Sequence, residues 1–358
     1  MPVQGLTRLR KHQFGRQAVH GTKVAATRAY GLTGVPDNEL NWTDPEVDAG
    51  SRVVTAAPYR EAPDLTASLD SPALEYNDLP IIHSAFFGGQ VAPTGGGTAK
   101  TWAFDPDSTT VELPDEYTYE FGDDVLTDWF QNGDGILESF EISGPVGLGP
   151  LTASLGWRFG SISSTGSTDA PVTGTVPTPA LAVDTNGAKV YLKDMGIYIA
   201  DTVAGLPAGQ VLDALHAFTL RGNIEWDQKR YANESQNFDI SAWGPGMLGI
   251  ELECVFGKTA DTVGTGSESD HWMSDESVNR YIRLHFISTV VAQTPSTFYE
   301  WTVDMPARYY TRTEGEEGQN STVVLTAHAF YDPEDLDGFF QSTIVNTLTE
   351  AQLGLAGS

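Results

Sequence analysis

Seven histidines, one cysteine and 48 acidic residues are the groups in this 358-residue chain that can hold a metal or move a proton. The histidines are His12, His20, His83, His216, His271, His285 and His328. No two stand at the H-x-x-x-H or H-E-x-x-H spacing that sets two imidazoles on one helix face. Cys254 lies in "LGIELECVFG", an alternating run, and reads as a small buried hydrophobe. A lone cysteine excludes intramolecular disulfides and the thiolate zinc frameworks. "FQNGDGILESFE" comes nearest to a calcium loop, with Asn132, Asp134, Gly135 and Glu141 at positions three, five, six and twelve. Phe130 occupies the first ligand position, where a carboxylate is needed, so the expectation there is a glycine-rich hairpin turn between strands. No metal and no cofactor are expected.

Acid pairs such as Asp123–Asp124 and Glu316–Glu317 have the composition of a glycosidase dyad, but that chemistry needs a fixed separation across a sugar cleft. Among 48 acids some pair always looks suitable. No G-x-S-x-G elbow is present, and "GGQVAPTGGGTAK" lacks the Lys-Ser/Thr of a phosphate loop. The sequence therefore argues for no catalysis, and the chain is expected not to be an enzyme. Nucleic-acid recognition fares no better, because basic residues outside the first 36 positions are scattered among acids.

The charge is distributed unevenly. The net charge is −28, which opposes adhesion to nucleic acid or an anionic membrane. Yet residues 1–36 contain no Asp or Glu and carry Arg8, Arg10, Lys11, Arg16, Lys23 and Arg28. This segment reads as a basic N-terminal arm that docks on the acidic surface of another copy by salt-sensitive contacts. No apolar run is long enough for a bilayer, and no apolar stretch follows the basic residues as in a secretory signal. Three N-x-S/T sequons, at Asn41, Asn233 and Asn320, carry no meaning without secretion.

The elements that must position these residues read as strands. Short alternating or aromatic runs recur from "LTASLD" to "STVVLTAHAFY", separated by Gly, Pro, Asn and Asp clusters. That is the pattern of an antiparallel sandwich or barrel. Helix signals are confined to "SPALEYNDLPIIHSAFF", "ESDHWMSDESVNRY" and "DPEDLDGFFQSTIVNTL". Forty per cent hydrophobic residues indicate a globular chain, and its length favours two domains. A Gly/Ser/Thr/Pro-rich stretch at about 160–188 is the linker candidate. The expected division is a basic arm over 1–36, a first β-sandwich over 37–185, and a second over 186–358 that closes with a helix. A gapped repeat supports it: Phe140, Ile142 and Ser143 match Phe238, Ile240 and Ser241, and Leu151, Leu155 and Phe159 match Leu248, Leu252 and Phe256.

Taken in order, these patterns resemble the major tail tube protein of long-tailed, non-contractile bacteriophages. The likeness covers most of the chain. It rests on "RLRKHQFGRQAVHGTKVAAT", "APYREAPDLTASLDSPALEYNDLPIIHSAFFGG", "TYEFGDDVLTDWFQNGDGILESFEISGPVGLGPLTASLGWRFG" and the close "EGEEGQNSTVVLTAHAFYDPEDLDGFFQSTIVNTL". The resemblance implies tandem β-sandwich tube domains building stacked rings around a channel for DNA. Trimeric rings of two-domain subunits are the implied arrangement, with hexameric rings as the alternative. It implies a virion (tail) protein assembled in the host cytoplasm, contacting tape measure, terminator and tip proteins. DNA is met only in non-specific transit through an acidic lumen, and no membrane is involved. Arg8, Arg10, Lys11 and Arg16 become the candidates for inter-ring contact. Two other readings compete: a host-receptor or glycan-binding tail component that uses its eight Trp as platforms, and another ring-forming virion part such as a tail terminator.

Overall fold

The computed structural model describes residues 10–39, 42–43, 59–60, 64–88, 92–106, 114–123, 128–144, 149–164, 187–208, 210–211, 215–227, 244–257, 280–293, 296–317, 320–333, 336 and 338–354. The chain is mainly β and antiparallel. It begins with β1 (Arg10–Arg16), β2 (Arg28–Tyr30), β3 (Thr33–Glu39), β4 (Trp42–Thr43), β5 (Tyr59–Arg60) and β6 (Asp64–Ser71). Helix α1 (Leu79–Phe87) follows, then β7 (Lys100–Phe104), β8 (Tyr117–Asp123), β9 (Asp128–Gly144), β10 (Thr152–Phe159) and β11 (Ser161–Ser164). The second half supplies β12 (Met195–Ala200), β13 (Gln210–Val211), β14 (Leu215–Asp227) and β15 (Gly244–Gly257). It ends with β16 (Arg280–Gln293), β17 (Thr297–Glu317), β18 (Asn320–Ala329) and β19 (Gln341–Asn346).

Seventeen of these strands form one hydrogen-bonded network, and two long strands turn its corners. Residues 128–135 of β9 lie between β8 and β11, while residues 136–144 lie between β10 and β14. In β17, residues 297–307 pair with β16, and residues 300–304 of that stretch also pair with β19. Its residues 307–317 pair with β18.

Alternation decides which face each strand buries. In β10, Ala153, Leu155, Trp157 and Phe159 point inward while Ser154 is exposed. Helix α1 is buried on every side, as the unbroken "LPIIHSAFF" requires; Pro80 opens its first turn and Gly88, at φ +73°, ends it. Among the described residues, no helix is long and apolar enough to cross a membrane.

Three features of the structure bear on the expected layout. First, the halves are not separated by a break in the core. Ile142 of β9 pairs with Leu220 of β14, and one cluster of buried side chains runs from Phe14 to Leu353. Of the repeat, Phe140, Ile142, Leu155, Phe159, Leu252 and Phe256 are buried core, whereas Phe238, Ile240 and most of the linker lie outside the described residues. Second, the leader from Arg10 onward is sheet. Strand β1 pairs with β8 over seven positions and with β2 on its other edge, because His12, Gln13 and Phe14 are all buried there. Third, the closing-helix candidate at 332–348 is not helical where it is described; a short helix, Glu350–Leu353, capped by Thr349 and Gln352, follows it. The "STIVN" before it is strand β19, whose β-branched residues suit a position between β7 and β17, with Ile344 inward.

Candidate functional site

Three places in this sheet network carry chemistry or recognition. The first is the basic leader. Arg8 lies outside the described residues. Arg10 is exposed at the start of β1, with its guanidinium 5.9 Å from the Phe121 ring centre, and Lys11 follows it. Arg16 is engaged within the chain: its Nη2 donates to Asp115 Oδ1 at 2.7 Å. An inter-ring role for Arg16 requires that pair to open. Lys23 and Arg28 are also held at home, Lys23 Nζ on the Gln131 carbonyl at 3.0 Å and Arg28 on Asp78. Burial pushes the Lys23 amine down to about 8, against the pull of Asp134. Arg16, Lys23 and Arg28 therefore serve the fold.

The second place is the corner of β9. Asp134 sits where the strand changes partners, at a register shift against β8, with φ +55° and a glycine on either side. Asp is one of the few residues that enter this left-handed region at low cost. The "NGDG" expected as a hairpin turn is thus a bulge inside a 17-residue strand. That also removes the calcium-loop reading. Asp134 and Glu141 lie seven strand positions apart, about 23 Å at 3.3 Å per residue, and Glu141 instead takes Arg221 Nε at 2.9 Å.

Other residues converge on Asp134. The chain between β1 and β2 lies across β8 and β9, held by Val24 N–H on Thr118 Oγ1 (3.0 Å) and Ala26 N–H on Glu120 Oε1 (3.3 Å). Its turn at Val19–Thr22 brings His20 inward. Gly21 N–H donates to Asp134 Oδ1 at 2.8 Å, and Ser161 Oγ donates to Oδ2 at 3.0 Å. His20 Nδ1 stands 2.8 Å from Glu116 Oε1 and 3.9 Å from Asp134 Oδ1. His20, Glu116 and Asp134 offer one ligand atom each, all within 4.8 Å of one another. The sequence did not group them, because sheet pairing brings His20 to a residue 96 positions away.

The third place is the tip of the β16–β17 hairpin. Pairing with β12 stops at Phe286. Beyond it, Ile287, Val290 (50% exposed), Val291 (43%) and Phe298 project from a twisted, bulged ribbon. Four of the seven large hydrophobic residues exposed among the described residues stand in this one hairpin, which makes it a patch and not scatter. The tryptophans behave oppositely: Trp102, Trp157 and Trp301 are fully buried, and Trp102 and Trp301 bond Asn346 and Ser342 through their indole N–H. These three offer no ring to a sugar.

Comparison of the chain with protein-family models and with curated proteins returned no match.

Proposed function

We propose that this chain is a structural subunit that associates with copies of itself, in the manner of a phage tail tube protein. The observation that carries the reading is the apolar hairpin tip formed by Ile287, Val290, Val291 and Phe298 on a chain of net charge −28. So acidic a subunit repels its own copies, and the repulsion must be offset locally. A β-ribbon that presents branched apolar side chains to water offsets it when a second copy covers them, at about 25 cal/mol per Å² removed from water.

Strand β3 adds a second point of attachment. Among the described residues it pairs only with β6, and it contains Pro36 and the exposed Val35. Such an edge accepts a strand from a neighbouring copy, while the proline limits uncontrolled growth. Arg10, exposed at the start of β1, is the candidate for a charge contact between stacked copies. The resemblance in sequence turns this generic self-association into rings that stack around DNA, within a virion tail.

Negative-stain microscopy and sedimentation of the purified full chain, over a range of protein and salt concentrations, test the reading. Rings or tubes are expected. The Val290→Asp/Val291→Asp variant is expected to stay monomeric with an unchanged circular-dichroism spectrum. A wild-type protein that remains monomeric throughout, or a variant that assembles like the wild type, overturns it.

A further inference from the structure

We propose that His20, Glu116 and Asp134 form a binding site for one divalent transition ion, with zinc the best match. An ion about 2.1 Å from each of several N and O ligands holds those ligands roughly 3.0–3.5 Å apart. The pairs measured here, 2.8 and 3.9 Å from His20 Nδ1 to the two carboxylate oxygens, bracket that range. All three atoms close within 4.8 Å. Closing the remaining carboxylate-to-carboxylate pair, which lies within 4.8 Å, takes side-chain shifts of up to about 1 Å.

The donor set also selects the ion. One imidazole with two carboxylates suits zinc and its first-row neighbours, whereas calcium asks for six or more oxygens. Two carboxylates neutralise the ion's charge. Asp134 is oriented by Gly21 N–H and Ser161 Oγ, the kind of outer-shell hydrogen bonding that fixes a ligating carboxylate. His20 keeps 30% of its side chain in solvent, which leaves a path of entry.

A separate observation concerns Gln17. Gln17 is 5% exposed and bonds to both carboxylate residues. Its main-chain N–H donates to the Glu116 carbonyl at 2.7 Å, and its Oε1 accepts the Asp134 N–H at 2.9 Å. That second bond fixes which way round the amide sits. Its Nε2 is then a buried donor without an acceptor, which is costly. The oxygen of a water carried by the ion supplies the acceptor. The His20–Glu116 contact needs no ion by itself, because a proton on Nδ1 serves; the ion takes that proton's place, as metal binding to histidine does.

Equilibrium dialysis of the chelator-treated full chain against Zn²⁺, with competing Mg²⁺ and Ca²⁺ in excess, tests this. One zinc per chain is expected. His20→Gln and Asp134→Asn, which keep the local hydrogen-bonding shape and in which Asn tolerates the left-handed backbone, are each expected to weaken it by at least about tenfold. Circular dichroism checks that each variant is folded, and the more exposed His20→Gln decides the matter if Asp134→Asn is not. No zinc retained, or zinc retained equally by wild type and His20→Gln, overturns the proposal and leaves only adsorption to surface carboxylates.

Discussion

Arg28 Nη2 meets Asp78 Oδ1 at 3.0 Å inside the protein, joining β2 to the residue that opens α1. Asp78 is the N-cap of that helix, yet its side chain caps nothing. One carboxylate oxygen goes to Arg28 and the other takes Glu75 N–H at 3.3 Å. Arg28 also donates to the Asn77 carbonyl and lies 4.7 Å from the Tyr30 ring centre. Removing one member of so buried a pair strands the other charge. Arg28→Ala is expected to cost about 3–5 kcal/mol in urea unfolding. A loss below about 1 kcal/mol shows that the pair does not fix α1.

Arg221 stands in a more exposed place. Its Nε bonds Glu141 at 2.9 Å, and its Nη1 bonds Glu251 at 2.8 Å with Glu253 at 3.6 Å, so one cation serves three carboxylates across β9, β14 and β15. The Glu141 hydrogen bond foremost raises its pKa further. Arg221→Gln is expected to cost roughly 1 kcal/mol in dilute buffer, with the gap closing in about 0.5 M salt as screening weakens the carboxylate repulsion. A loss that salt leaves unchanged assigns Arg221 a packing role instead.

Acid is expected to act through two buried histidines. Burial, reinforced by Arg10, pushes His12 down to about 4, and burial alone does the same to His83 against its hydrogen bond to the Leu79 carbonyl. Both are neutral in the folded chain, whereas in the unfolded chain they take up protons near pH 6.5. Their contribution is therefore fully present above about pH 6.5 and drains away as the pH falls toward 4, by roughly 2–3 kcal/mol for each. Urea titrations at pH 7 and pH 4.5 read the loss, and His12→Gln should show a smaller drop between them than the wild type. Equal drops would remove His12 from the account.

Much of the architecture was legible because alternation is a local signal. The "LTASLGWRF" run states its inward face outright, and "LPIIHSAFF" has no polar side and so forms a buried helix. What escaped was decided by partners far along the chain. "STIVN" lies within a segment that read as a closing helix, until β7 and β17 claim it as a strand. "NGDG" carries turn residues because β9 changes partners there without ending. The leader's charges looked free because Asp115 and Asp78, which bind Arg16 and Arg28, stand 99 and 50 positions away. The apolar tip was hidden for the reverse reason, since "RYIRLHFISTVVAQ" reads as uniform strand and only the end of β12 pairing leaves its second half uncovered.

Strand β17 has a mechanical corollary. Its 21 residues begin beside the apolar tip and finish in the ladder with β18. Anything gripping that tip therefore tugs along the strand axis, and the rungs on both flanks resist together instead of peeling in turn. Tension along a stack of such subunits would travel through continuous polypeptide.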